Sequence, residues 1–434
     1  MVFKKINLLD VHTKEIIFKS SSSLIVKIIG VLGGMLVSVF LGRTIGPDGL
    51  GIIDLAHRIV AIIIVFTLLG LPQIIIKETA IAYERSNWNR IGKIIYSSHL
   101  LSVSITIVIS IIFILMAPWV SKNIFHDNQL SFPLIVALIA LTPRVISRVI
   151  SSGLIGYRRI WQSNLVDQTL SIIIVAFLLL TSHLVGKHIT INIVAIYYCI
   201  SRIFVTIVAS VYWKKINVFK FQKKNISNEL LKSSFPLLFV SLALVLSSGI
   251  STIMLGWLSS SKELGFYASA SKIAMLTSFL LQITVSTVSP KIASLFHENK
   301  IDELKLMLFK VTKGLTIIGF IFLLIIFFLG ENILSLWGKE FMNAYSILLI
   351  LSIGQFINIS SGPVVYLLIM TNHEKLVRNI SIIITFLNFI LSFVLISNFN
   401  AIGAAIATAT CITLNMIICV LFIKNKLGFL PIKF

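Results

Sequence analysis

The chain has 434 residues, of which 57% are hydrophobic and only 12% are charged. A soluble domain carries roughly 25% charged residues, so an aqueous fold of this length is excluded and the bilayer is the solvent that fits the composition. The formal charge of +21 suits either a nucleic-acid binder or a membrane protein with basic cytoplasmic loops; no RNA-binding motif or long basic tail is present, and the placement of the charges decides for the membrane.

The first segment, 1–19, is polar (Lys4, Lys5, His12, Lys14, Lys19). It is too long and mixed for a cleaved signal peptide and no small-residue cleavage site follows, so the first helix is expected to stay. A spanning helix needs roughly 20 mostly apolar residues. Twelve runs qualify: 20–42, 52–72, 94–116, 131–153, 163–184, 190–212, 233–256, 267–289, 311–329, 345–368, 377–397 and 401–423. The expected fold class is all-α, a polytopic membrane protein of about 12 transmembrane helices in two six-helix lobes around a central cationic cavity. The expected divisions are a cytoplasmic N-terminal segment 1–19, an N-lobe 20–213, a basic cytoplasmic linker 214–232, and a C-lobe with a short cytoplasmic tail 233–434.

Lys and Arg set the orientation. With the N-terminus in the cytoplasm, the inner loops hold clusters such as Lys77, Arg85, Arg90 and Lys93, then Lys214, Lys215, Lys220, Lys223, Lys224 and Lys232, and the tail holds Lys424, Lys426 and Lys433. The outward loops carry Arg43, Lys122, Lys187, Lys262 and Lys339. Both termini are therefore expected in the cytoplasm, and the asymmetry explains the basic balance without nucleic acid.

Six helices on each side of the linker imply parallel repeats. One fixed offset of 214 aligns Leu41-Gly42 with Leu255-Gly256, Leu50-Gly51 with Leu264-Gly265, Ala56 with Ala270, and Arg58-Ile59 with Lys272-Ile273. A charge at mid-bilayer costs about 2.5–3.5 kcal/mol on insertion scales and usually faces a bundle interior or a wet cavity. Arg58 and Lys272 each lie seven residues beyond a repeat glycine, roughly 10 Å into the span at 1.5 Å per residue. They are the leading anion-cavity candidates, although Asp54, one turn before Arg58, could neutralise it; the equivalent position before Lys272 is Ala268. Lys27 either joins the cavity or snorkels to the inner interface. Arg144 and Arg148, with Arg158 and Arg159, are read as lipid-headgroup contacts before substrate contacts, and Arg202, mid-sixth helix, is kept with the anion-binding set.

Asp54 and Asp167 are candidates for ion coupling or charge pairing, with helix-end placement as the plainer reading. His57 reads as a packed or cavity histidine. Pro72, Pro143, Pro236, Pro290 and Pro363 mark kinks or ends. Cys199, Cys411 and Cys419 lie in apolar runs with no Cys-x-x-Cys and read as small core residues. No metal motif, phosphate loop or Ser/His/Asp arrangement is visible, so neither a cofactor nor catalysis is expected.

Leu41-Gly-Arg-Thr-Ile-Gly-Pro-Asp-Gly-Leu-Gly51, Leu69-Gly-Leu-Pro-Gln73 with Lys77-Glu-Thr-Ala80, Gly265-Phe-Tyr-Ala-Ser-Ala-Ser-Lys-Ile273 and Ile402-Gly-Ala-Ala-Ile-Ala-Thr408 occur in this order. Together they resemble the Wzx-type O-antigen flippases of the multidrug/oligosaccharidyl-lipid/polysaccharide exporter superfamily. The resemblance implies export of an undecaprenyl-diphosphate-linked oligosaccharide by alternating access across the bacterial plasma (inner) membrane, for O-antigen (lipopolysaccharide) or capsule. It implies basic residues of the first, second and eighth helices on the diphosphate, here Lys27, Arg58 and Lys272, with Lys27 replacing an arginine. The lipid II branch tends to carry extra C-terminal helices, so the O-antigen or capsule branch is expected. Candidate partners are membrane lipids, a polysaccharide polymerase and a chain-length regulator; a proton or sodium gradient is the candidate coupling source. Two rivals stay open: a cation-coupled multidrug exporter of the same superfamily, which needs cavity acids, and a membrane-embedded polysaccharide polymerase, which needs a large outward loop.

Overall fold

The computed structural model describes residues 11–216 and 227–429. Lys4, Lys5, Lys220, Lys223, Lys224 and Lys433, with much of the expected linker, lie outside the described residues. Among the described residues all regular structure is helical, because in lipid each segment must satisfy its own backbone hydrogen bonds. The order is α1 Val11–Leu68, α2 Leu71–Glu84, α3 Trp88–Asn123, α4 Ser131–Ile139, α5 Leu141–Gly156, α6 Ile160–Leu184, α7 Ile191–Ile216, α8 Ser227–Leu258, α9 Ser261–His297, α10 Ile301–Leu334, α11 Tyr345–Ser360, α12 Val364–Met370 and α13 Glu374–Leu427. Nine helices among the described residues are long and apolar enough to cross a bilayer, ten with the pair α4 and α5, bent by 41°. The chain is a multi-pass membrane protein, and the twelve apolar runs fall mainly on these helices, with 52–72, 131–153 and 345–368 each crossing a short break at 69–70, 140 and 361–363.

Two of the helices exceed a single crossing. α1 has 58 residues and α13 has 54, each more than twice the ~30 Å hydrocarbon core at about 1.5 Å per residue. Both are two helices joined at a break. Gly46, at φ 67° and ψ −175°, breaks α1; its left-handed φ suits glycine, and Pro47 follows at the start of the next arm. Asn400, at φ 49° and ψ −129°, breaks α13. The interruption is stitched: Ser259 donates to Asn400 Oδ1 at 2.9 Å, and the Ala401 N–H donates to Glu263 Oε2 at 3.2 Å. Pro72 sits in the first turn of α2, Pro143 near the start of α5, and Pro363 immediately before α12. Pro118, Pro236 and Pro290 are inside helices.

The chain divides into two compact units, Met1–Ser38 with Ile59–Leu242 and Val39–Arg58 with Ala243–Phe434. In the first, an aromatic cluster gathers at one end of the helices: Tyr83 lies 5.6 Å from Trp88 and 5.1 Å from Tyr157, and Tyr157 lies 5.2 Å from Trp213, ring centre to ring centre. Ion pairs lie at the same end. Arg158 binds Glu84, and Arg90 bridges Glu78 at 2.7 Å and Glu229 at 3.5 Å. Arg159 donates to the Tyr212 hydroxyl, with its guanidinium 5.8 Å from the ring centre. Aromatic rings and cations together are the usual furnishing of a membrane–water interface.

In the second unit the segment Val39–Arg58 is held by small residues. A Cβ added to Gly51 would stand 2.2 Å from the Ser261 carbonyl oxygen and 2.8 Å from the Gly265 nitrogen; one added to Gly265 would stand 1.9 Å from the Pro47 carbonyl oxygen. Pro47 and Ser261, like Gly51 and Gly265, are partners at the offset of 214, so the contacts are reciprocal. The repeat legible in the sequence thus becomes a backbone-to-backbone contact between equivalent stretches, the small-residue packing that bilayer interfaces favour.

Gly265→Ala is expected to destabilise the detergent-solubilised protein by about 1–3 kcal/mol or more, the scale of overpacking, because backbone must move to admit the methyl. Gly314, whose Cβ would meet nothing within 4 Å, is the control, and Gly314→Ala is expected to be neutral or slightly stabilising. Thermal unfolding checks both; a Gly265→Ala melting temperature equal to wild type contradicts the packing.

Candidate functional site

The face of α1 that carries Gly51 continues through Asp54 and Arg58, one and two turns on. The face of α9 that carries Gly265 continues through Ala268 and Lys272. Because the glycines bring these faces together, Arg58, Lys272 and Asp54 converge. Arg58 Nε lies 3.6 Å from Asp54 Oδ2, with the side chains 30% and 15% exposed. Asp54 also interacts electrostatically with Lys272 and His57, and Lys272 with both Asp54 and Arg58. Lys272 therefore draws on the same carboxylate as Arg58, a sharing that the in-helix spacing does not reveal. Ala268, the repeat equivalent of Asp54, is buried at 3% exposure and supplies no second acid. Two cations on one acid leave net positive charge in apolar surroundings, where an anion is attracted more strongly than in water.

A polar chain beside this cluster was not legible in the sequence. Tyr267 Oη lies 2.9 Å from Thr408 Oγ1, which lies 3.0 Å from Ser251 Oγ; Ser251 donates to Asn388 Oδ1 at 3.3 Å and Ser392 donates to the same oxygen at 3.0 Å. Tyr267 also interacts with Arg58, so the chain leads from the cations into the buried interior of α8, α9 and α13. The signal available was the amide Asn388 at the middle of a mostly apolar run, with Ser392 one turn away.

The first unit gathers a second group. Arg148 pairs with the carboxylate of Asp167, and Arg202 Nη1 donates to the Asp167 carbonyl oxygen at 3.0 Å. Arg144 interacts by charge with Asp167 and Arg148. Asp167 lies in a π-helical stretch of α6, Leu165–Thr169, where the wider turn disturbs the regular ladder. Thr169 of that stretch donates to the Val26 carbonyl at 3.0 Å, fixing it against α1. Lys27, next to Val26, is exposed. Among the described residues no group of three or more His, Cys, Asp or Glu side chains could hold a metal ion.

A family model described as polysaccharide biosynthesis protein matches residues 16–296, more than half of the chain, and a MatE model matches residues 236–394. The capsular polysaccharide biosynthesis protein CapF of Staphylococcus aureus is 26% identical over 391 residues, 88% of this chain and 92% of that protein. A Haloferax volcanii protein, probable flippase AglR, is 30% identical over 190 residues, 42% of this chain and 39% of its own length. Among solved structures, an inward-facing multidrug resistance MATE family transporter of the MOP superfamily superposes with a TM-score of 0.77 at 14% identity, covering 94% of this chain and 98% of that one. The lipid II flippase MurJ, in an inward closed conformation, superposes with a TM-score of 0.74 at 16% identity, covering 94% and 87%. These likenesses show the fold of the MOP-superfamily transporters, and with the family model spanning 16–296 the chain belongs to the polysaccharide biosynthesis protein family.

Proposed function

We propose that this protein is a flippase that carries undecaprenyl-diphosphate-linked oligosaccharide units from the cytoplasmic to the outer face of the bacterial plasma (inner) membrane, by alternating access, for O-antigen or capsule assembly. The observation that carries the reading is the convergence of Arg58 and Lys272 on the single carboxylate of Asp54. A diphosphate needs more than one cation, and a guanidinium beside an ammonium supplies both a fork of N–H groups and a point charge. The capsular and flippase names of similar proteins support the same substrate class.

The physics favours outward movement. An anion leaving the cytoplasm moves with the inside-negative potential, gaining about 2.3 kcal/mol per charge per 100 mV. The protein's task is to lower the penalty for carrying a charged headgroup and sugars through hydrocarbon, and a wet cationic surface does this while the lipid tail stays in the bilayer. Lys27 and Arg202 join Arg58 and Lys272 in the proposed anion-binding set, and Arg144, Arg148, Arg158 and Arg159 are the proposed lipid-headgroup contacts. A proton or sodium gradient acting through Asp54 or Asp167 is the proposed coupling; polymerase and chain-length regulator are the proposed partners, and both termini face the cytoplasm. The MatE match favours one second reading, cation-coupled multidrug export. In that case Asp54 would serve a cationic drug or its counter-ion, although Arg58 and Lys272 already claim it.

In a strain deleted for the gene, Arg58→Glu or Lys272→Glu is expected to restore membrane insertion but no surface glycan, read by membrane immunoblot and glycan staining. Normal export by the Arg58→Ala/Lys272→Ala double variant sinks the reading. Asp54→Asn is expected to lower stability, since it strips two cations of their counter-ion; a melting temperature unchanged from wild type would show that Asp54 is not that counter-ion.

A further inference from the structure

The arginines of the first unit are better matched to a bound ligand than to one another. Arg202 lies 11 residues from the start of α7 and 14 from its end, roughly 16 Å and 21 Å at 1.5 Å per residue, so it stands near the middle of its span. Arg144 and Arg148 lie one turn apart on α5, and Asp167 lies seven residues into α6. Three guanidiniums on two helices thus surround one carboxylate on a third. The scaffold fixes them: Thr206, one turn beyond Arg202, donates to the Pro143 carbonyl at 2.7 Å, tying α7 to α5 beside Arg144. The π-helical stretch presents the Asp167 carbonyl to Arg202, and Arg148 takes the Asp167 carboxylate. The Arg144 guanidinium makes no hydrogen bond to any described residue, and Arg202 spends one N–H group of five.

We propose that Arg144, Arg148 and Arg202 form an anion site within the first unit that takes a phosphate-class oxyanion, with Asp167 as the resident counter-ion that the ligand partly displaces. Intramembrane charges persist where they pair or serve a ligand, and among the described residues of this group three cations face one acid, a net positive charge that an added anion would compensate. A planar guanidinium with free N–H groups matches phosphate oxygens in a fork. The site deepens the proposed function, in which Arg202 binds an anion and Arg144 and Arg148 meet headgroups, but it needs neither transport nor the cations of α1 and α9, so its failure and that of the flippase reading are distinguishable. The same phosphate chemistry could come from a diphosphate in solution or on a carrier lipid, or from an anionic membrane lipid.

The test uses the full chain with Arg58→Gln and Lys272→Gln, so that the second unit's cations do not contribute. The protein is reconstituted in phosphatidylcholine nanodiscs and titrated with inorganic pyrophosphate at constant ionic strength, with calorimetry and thermal unfolding as readouts. Pyrophosphate is expected to bind and stabilise. Arg144→Gln, which removes a charge but no hydrogen bond, and Arg202→Gln are each expected to weaken binding about tenfold or more, the worth of one charge-assisted hydrogen bond. Asp167→Asn, made also in the otherwise wild-type chain, is expected to tighten binding, whereas loss of a merely structural ion pair would weaken it. Pyrophosphate affinity that falls as phosphatidylglycerol is added assigns the site to a lipid headgroup phosphate; affinity unchanged by phosphatidylglycerol assigns it to a diphosphate, and either result supports the site. Absence of binding in phosphatidylcholine, affinity unchanged in Arg144→Gln and Arg202→Gln, or weaker binding by well-folded Asp167→Asn overturns it.

Discussion

The close approach of Gly51 to Ser261 and Gly265, and of Gly265 to Pro47, is the constraint on which the second unit depends. Two backbones meet where no side chain fits, and everything one and two turns further along both helices follows from that contact. It draws Val39–Arg58, from the N-terminal half of the chain, into the unit formed by the C-terminal half. It also sets Arg58 and Lys272 around Asp54. A glycine pair with no polar atom in its side chains therefore positions the charged cluster, because helical periodicity carries register from one turn to the next.

Charge is the second organising quantity. Among the described residues, the cations of each charged cluster outnumber its acids: Arg58 and Lys272 share Asp54, while Arg144, Arg148 and Arg202 surround Asp167. One acid lowers the cost of placing cations in a low-dielectric setting without cancelling their attraction for an anion. A fully paired arrangement would be a structural ion network. An acid-rich arrangement would favour cationic cargo. The imbalance in between is what a carrier of negatively charged headgroups requires, since the ligand must be both attracted and released.

Much of the fold was legible because hydrophobic length is a direct physical signal. The apolar runs of about twenty residues became mainly helix, three of them with a short internal break, and the repeat offset of 214 reappeared as reciprocal contacts at Gly51 and Gly265. Gly46 and Asn400 break the two longest helices in the gaps between the apolar runs 20–42 and 52–72 and between 377–397 and 401–423, where Arg43, Asp48, Ser397 and Asn398 interrupt the apolar sequence. The π-helical stretch at Leu165–Thr169 was harder to read, because it has no compositional mark. Pairings across long separations were also illegible. Arg158 finds Glu84 across 74 residues, Arg159 finds Tyr212 across 53, and Arg202 finds the Asp167 carbonyl across 35; only Asp54 and Arg58, four residues apart, were visible as a local pair. Helix spacing gives neighbours on one helix, and tertiary packing chooses the rest.

The most direct test of the central claim is movement of a lipid-linked diphosphate oligosaccharide across a membrane containing only this protein. The purified chain would be reconstituted in vesicles carrying a fluorescent undecaprenyl-diphosphate oligosaccharide, with a membrane-impermeant quencher outside and an inside-negative potential imposed. The account predicts that lipid protected in the inner leaflet becomes accessible to the quencher at a rate well above that of protein-free vesicles. Protection that persists as in empty vesicles, with the protein folded and the potential in place, would contradict it.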